Sequence, residues 1–241
     1  NMTSSENKGI FNWLVIIAAL GYFVDLYDLV LFNVVKRESL EYIKALNGLD
    51  FDVKDKGIFL FNCQMGGMLI GGIFWGIWGD KRGRISVLFG SIILYSVANI
   101  INAFTFDLTT YAIVRVLAGI GLAGELGAGI TLVSETMHKE KRGYGTMIIV
   151  TFGALGAVLA ALVGTEGHYI AEFLTNITGY SFQNWQVAYL IGGSLGLMLL
   201  ILRVGAFESG MFKSMQEHSV KKGDFLALFK TRENTFKYLN C

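Results

Sequence analysis

An all-α integral membrane protein with six spanning helices is the fold class this sequence predicts. Of its 241 residues, 53% are hydrophobic and only 16% charged, against about 25% charged in a soluble domain. The apolar residues run in long blocks rather than in alternation. Proline is absent while glycine occurs thirty times, so any helix flexing must rest on glycine.

Six blocks are long enough to cross a bilayer, near 11–35, 57–79, 86–106, 110–136, 145–166 and 186–205. The first is too long for a cleaved signal peptide and no small-residue cleavage pattern follows it, so it is expected to remain as a signal anchor. It carries Asp25 and Asp28 within its apolar run. A carboxylate near the bilayer centre costs at least ~2.5–3.5 kcal/mol on insertion scales and marks a function. Three positions apart, the two share one helical face.

The second block holds Gly67/Gly71 and Gly72/Gly76, which read as small-residue helix packing. The turn to the third reads Gly76-Ile-Trp-Gly79-Asp80-Lys-Arg82-Gly83-Arg84, where the glycines permit a tight turn and the charges sit at the membrane surface. The fourth carries Arg115 and Glu125, roughly 15 Å apart along one helix. Neither tolerates lipid unpaired, so both should face a protein interior or a water-filled cavity. The fifth contains Phe152-Gly153-Ala-Leu-Gly156, and the sixth follows Trp185, with the pattern changing after Arg203. Trp13, Trp75, Trp78 and Trp185 lie toward segment ends, as interface anchors would.

The basic residues set an expected orientation. With the N-terminus inside, Lys81, Arg82, Arg84, Lys139, Lys141 and Arg142 fall on the cytoplasmic side, as do Lys213, Lys221, Lys222, Lys230, Arg232 and Lys237. The outer loop 36–56 is an exception, with five basic residues set against Glu38, Glu41, Asp50, Asp52 and Asp55. Residues 1–205 are thus expected to form a transmembrane domain, and 206–241 a basic, partly helical cytoplasmic linker. Cys63 and Cys241 give no disulfide framework. His138, His168 and His218 are scattered, so no metal site is expected. No nucleotide-binding loop or hydrolase motif occurs, and basic residues spread over loops make no nucleic-acid surface. The protein is not expected to be an enzyme.

The 76–84 turn resembles the signature loop of the major facilitator superfamily, Gly-x-x-x-Asp-Arg-x-Gly-Arg. Asp25-x-x-Asp28, Arg115 followed by Gly119 and Glu125, and Glu135 ahead of Arg142-Gly143 resemble the metabolite–proton symporter branch, which includes proline/betaine and organic-acid importers. Trp185 and Glu208-Ser209-x-x-Phe212 also look like that branch. The chain departs from it at Asp25, where a glutamate is usual. It departs again at Gln186 and Ala188, which replace Arg and Pro, and at Gly210, which replaces a proline. The Gly-Pro signature of drug–proton antiporters is missing from the fifth span.

The resemblance implies two inverted three-helix repeats, forming half of a twelve-helix fold that a second six-helix half completes. It implies a proton-coupled importer of a small polar, zwitterionic or carboxylate nutrient, embedded in lipid and needing no cofactor beyond the coupling H+. A bacterial inner membrane is the expected location. Asp25, Asp28, Arg115 and Glu125 are the expected substrate and proton site, with Asp25 and Glu125 near mid-depth and Asp28 the partner of Arg115. Gly76, Asp80, Arg84, Glu135 and Arg142 are the expected cytoplasmic latch. The alternatives are a non-transporting six-helix anchor module and an efflux antiporter.

Overall fold

The computed structural model of the chain describes residues 13–136 and 142–208. They form seven helices: α1 (Trp13–Asn47), α2 (Val53–Arg82), α3 (Arg84–Ala103), α4 (Leu108–Thr136), α5 (Arg142–Glu166), α6 (His168–Thr178) and α7 (Asn184–Glu208). All but α6 are long and apolar enough to cross a membrane, making six spans. The expected linker 206–241 lies outside the described residues beyond Glu208.

Two boundaries differ from the sequence reading. α1 continues helical to Asn47, so most of the expected loop 36–56 is helix and only 48–52 connects it to α2. Its last turns place Leu40 and Ile43 in the core, while Arg37 and Glu41 pair on the outer face at 2.8 Å. Their i, i+4 spacing satisfies both charges without ending the helix. The expected outer segment 167–185 contains α6. Its face away from the bundle divides in two: Tyr169, Phe173 and Ile177 form an exposed apolar stripe, while His168, Glu172 and Asn176 form a polar one.

Side chains cap two of the helix starts. Asp52 accepts from the amides of Lys54 at 2.7 Å and Asp55 at 3.0 Å, and Asp107 accepts from the Thr110 amide at 2.8 Å. Hydrogen bonds from Asp55 and Lys54 hold the Asp52 carboxyl below its ordinary range, and those from Thr110 do the same for Asp107. Gly83 turns the chain from α2 into α3 at φ 89°, donating its amide to the Gly79 carbonyl at 2.8 Å. That conformation favours glycine.

The spans interleave as two repeats. Exchanging α1, α2, α3 with α4, α5, α7 maps the packed pair α1·α5 onto α4·α2, and α3·α4 onto α7·α1. It also maps α2·α3 onto α5·α7 and α1·α2 onto α4·α5, while α1·α4 and α3·α7 map onto themselves. Every one of these pairs is packed. The first helix of each repeat therefore packs most closely on the second helix of the other.

Glycine makes both crossings possible. A Cβ on Gly67 would run into the Val116 carbonyl, one on Gly119 into the Gln64 carbonyl, and one on Gly156 into the Phe23 carbonyl. Gly71 likewise meets the backbone of Ile120, whereas Gly72 and Gly76 have nothing within 4 Å. The packing role read for all four of these α2 glycines thus holds within this chain for Gly67 and Gly71 only. Trp75 and Trp185 are core residues rather than interface anchors. Trp75 donates to the Ile120 carbonyl at 2.7 Å, and Trp185 packs fully buried against Tyr42 and Tyr189. Trp78 is exposed, with Arg82 over its ring at 5.1 Å.

Gly67→Ala and Gly156→Ala should each destabilise the purified protein by about 1–3 kcal/mol through overpacking. Gly66→Ala, with nothing within 4 Å of the added carbon, should be neutral or stabilising by up to about 1 kcal/mol through helix propensity. Thermal unfolding in detergent compares the three.

Candidate functional site: a buried charge cluster

Among the described residues, α1, α4 and α7 bury five charged side chains between them. Asp25, Asp28, Arg115, Glu125 and Arg203 are each at most 3% exposed. They lie inside the six-helix bundle rather than on one of its outer faces. Removing a charge from water costs several kcal/mol even after relaxation, so each must be offset by a partner or neutralised.

Asp28 and Arg115 form the first pair. Nη2 of Arg115 lies 3.8 Å from Oδ2 of Asp28, a long contact for two groups with no access to water. Gln64 on α2 donates to the same oxygen at 3.4 Å. The guanidinium sits over the rings of Phe32 at 4.6 Å and Tyr189 at 5.6 Å, whose faces attract a cation. Its three nitrogens make no hydrogen bond, nor does Oδ1 of Asp28. The pair is therefore held loosely, with donor capacity to spare.

Above it, toward the end of the bundle that carries the 48–52 connection, lies a hydroxyl chain. Ser39 bonds Tyr111 at 3.1 Å, and Tyr111 bonds Tyr189 at 2.7 Å. Tyr27 donates to the Ala188 carbonyl at 2.9 Å. These groups are fully buried and their hydroxyls are satisfied, so they tie α1, α4 and α7 together toward that end.

Glu125 and Arg203 form the second pair, which is tight and forked. Nη1 of Arg203 donates to Oε2 of Glu125 at 2.7 Å, and Nη2 bonds Oε1. Such a bidentate contact is the strong form of an ion pair. The helices that carry it are not among the extensively packed pairs, so the two long side chains reach one another across the gap. Gly21 of α1 lies directly against the bridge: a Cβ there would stand 2.5 Å from Oε1 of Glu125 and 2.6 Å from Nη2 of Arg203.

Asp25 is the fifth member. Its charged surroundings are Glu125, Arg203 and Asp28. It makes no ion pair among the described residues, and its Oδ1 has no hydrogen-bond partner.

The structure thus gathers Asp25, Asp28, Arg115 and Glu125 into one region and adds Arg203. In the sequence Arg203 stands near the end of the expected sixth span, 186–205, where the apolar pattern changes. The available signal was an arginine within an apolar helix, lying toward the same membrane face as Glu125. Gln64 and Asn99, polar residues buried inside apolar spans, were also passed over, and Asn99 faces Asp28. Of the expected latch, Gly76 and Asp80 are exposed at the end of α2. Arg84 and Arg142 begin α3 and α5 and Glu135 lies in the last turn of α4, at the same end of the bundle, and their side chains lie outside the described ones. Among the described residues no group of His, Cys, Asp and Glu is placed to hold a metal ion.

Six spans in two interleaved repeats around buried charges define half of a twelve-helix transporter fold. The sequence profile of the Major Facilitator Superfamily matches residues 10–232, and the chain belongs to that superfamily. It is 32% identical over 149 residues to the putative niacin/nicotinamide transporter NiaP of Bacillus subtilis, covering 62% of this chain and 34% of the relative. It is 28% identical over 144 residues to the 3-(3-hydroxy-phenyl)propionate transporter of Escherichia coli, covering 60% of this chain and 32% of the relative. The matched stretch spans about a third of these relatives' length. Among solved structures, the inward-open xylose transporter XylE of E. coli superposes with a TM-score of 0.67 at 18% identity, over 95% of this chain and 56% of that one. A bacterial homolog of the human lysosomal transporter Spinster, inward-facing, gives 0.62 at 17% identity, over 83% and 43%. At such identity these structures speak for the fold alone.

Arg115→Leu leaves Asp28 buried and unpaired and should destabilise the protein by about 3–5 kcal/mol. Adding Asp28→Asn to it should recover a large part of that loss, read as a double-mutant cycle on thermal unfolding.

Proposed function

We propose that the chain is the N-terminal half of a proton-coupled secondary active transporter that imports a small polar, zwitterionic or carboxylate-bearing nutrient. One observation carries this reading. Among the described residues the bundle buries three carboxyls and two guanidinium groups, so the cluster is electroneutral only when it holds one proton. Asp28 has Arg115 and Glu125 has Arg203, which leaves Asp25 as the carboxyl that takes the proton. With the proton aboard, closing the helices around the cluster buries no net charge; without it, closure carries the cost of an unpaired carboxylate.

Arg115 supplies the link to substrate. Its guanidinium has donors in hand and only a 3.8 Å contact to Asp28, so a substrate carboxylate competes for it once the helices part. Names of the relatives support a ring-bearing substrate with a carboxylate or carboxamide: one is a putative niacin/nicotinamide transporter and another a 3-(3-hydroxy-phenyl)propionate transporter.

In this reading residues 206–241 are a cytoplasmic linker to a second six-helix half. α2 and α5, the spans least covered within this chain, present the faces available to it. The N-terminus and the 76–84 turn are cytoplasmic, in a bacterial inner membrane. Asp80, Arg84, Glu135 and Arg142 form a latch that holds the outward-open state.

In proteoliposomes, Asp25→Asn should abolish uptake driven by a pH gradient while substrate counterflow persists. Asp28→Asn should depress both. Unchanged pH-driven uptake in the two variants refutes the scheme. Arg84→Ala should shift maleimide labelling of introduced cysteines toward the inward-open pattern, and labelling identical to the unmodified protein would remove the latch.

A further inference from the structure

In the coupling scheme Arg203 only offsets the charge of Glu125, yet its surroundings differ from those of a merely structural ion pair. Its fork is occupied by Glu125, but the third guanidinium nitrogen, Nε, is buried and has no partner. Oδ1 of Asp25, whose charged surroundings include Arg203, is a buried acceptor that also has no partner.

The helix geometry brings the two together. Asp25 stands one turn after Gly21 on the same face of α1. Helical side chains lean toward the N-terminus, so the Asp25 side chain covers the turn that Gly21 opens. Against that turn rests the Glu125–Arg203 bridge, close enough that a single added carbon on Gly21 would touch both members. The groove left by the missing Cβ is what lets a carboxyl on α1 approach a bridge made by α4 and α7.

We propose that Asp25, Glu125 and Arg203 form one composite proton-binding site in which Arg203 is shared. While Asp25 holds its proton, Arg203 is forked to Glu125. When Asp25 gives the proton up, the guanidinium turns toward it and its grip on Glu125 slackens. Proton release on α1 thereby loosens the link between α4 and α7. No bond other than the Asp25 O–H is made or broken, and the proton leaves to water. Arg203 is thus a positioning residue, and this role rests on the symport reading above.

The other titratable groups facing Asp25 are Asp28 on α1 and Tyr95 on α3, which donates to the Gly192 carbonyl at 3.2 Å. α5 carries no titratable side chain between Tyr144 and Glu166. The balance at Asp25 therefore turns on how much of Arg203 it receives.

This predicts opposite responses from the two members of one ion pair. Glu125→Gln releases Arg203 to Asp25, favouring the ionised acid, and should lower the pH midpoint of uptake by about one unit. Arg203→Gln leaves two acids facing each other without a cation and should raise it by a similar amount. A purely structural bridge is broken equally by either change, so it predicts lost protein or lost rate with the midpoint unmoved. Should the neutral variants not reach the membrane, Glu125→Asp keeps the charge while shortening the acid and slackening its hold on Arg203, and it must still lower the midpoint. The assay is uptake by the full-length transporter in proteoliposomes across a pH series, using a substrate established by counterflow. Midpoints that move together, or not at all, overturn the shared role of Arg203 and leave the symport reading standing. If uptake by the unmodified protein ignores the pH gradient, both fall.

Discussion

Everything in this bundle is arranged around the cost of keeping ionised groups away from water. Among the described residues five charged side chains occupy its interior, and none has solvent to fall back on. Two guanidinium groups offset two of the three carboxyls, and the third is left over. Buried ion pairs add little stability over apolar packing. Their retention here in a chain that is otherwise so apolar points to work beyond holding helices together. The two pairs also differ in kind. The Glu125–Arg203 fork is tight, whereas Asp28 and Arg115 stand 3.8 Å apart with donors unused.

Backbone proximity makes that arrangement possible. α2 and α4 approach where Gly67 and Gly119 carry no Cβ, and α1 and α5 approach at Gly156. In lipid, helices gain little from apolar contact alone, and small residues let dispersion forces act at short range. The same device recurs at Gly21, where the missing side chain admits an ion pair instead of a backbone. Glycine thus sets both the helix crossings and the access of α1 to the charge cluster. In a chain with no proline it is also the residue on which bending must rest.

Much of the fold was legible in the residues. Length and hydropathy marked the six spans, because hydrocarbon thickness is a fixed ruler. The ends were less legible. Arg37 and Glu41 looked like loop residues, but their pairing on one helical face lets α1 run on to Asn47. α6 was hidden for a related reason, since eleven residues with two exposed faces make no membrane-length signal. Trp185 looked like an interface anchor by its place in the chain. Its burial depends on Tyr42 and Tyr189, which reach it only when α1 and α7 meet.

The sequence alone determined how many spans there are and how far along its helix each acidic group stands, because rise per residue is a local property of a helix. It also determined that Asp25, Asp28, Arg115 and Glu125 had to find shelter from lipid. Tertiary structure decided who shelters whom. Depth allowed Asp28 and Arg115 to meet, yet nothing along the chain linked Glu125 to an arginine 78 positions away at the end of another helix. That choice follows from which helices stand side by side and from the groove at Gly21. Neighbourhood of this kind is a property of the packed bundle, and no single segment contains it.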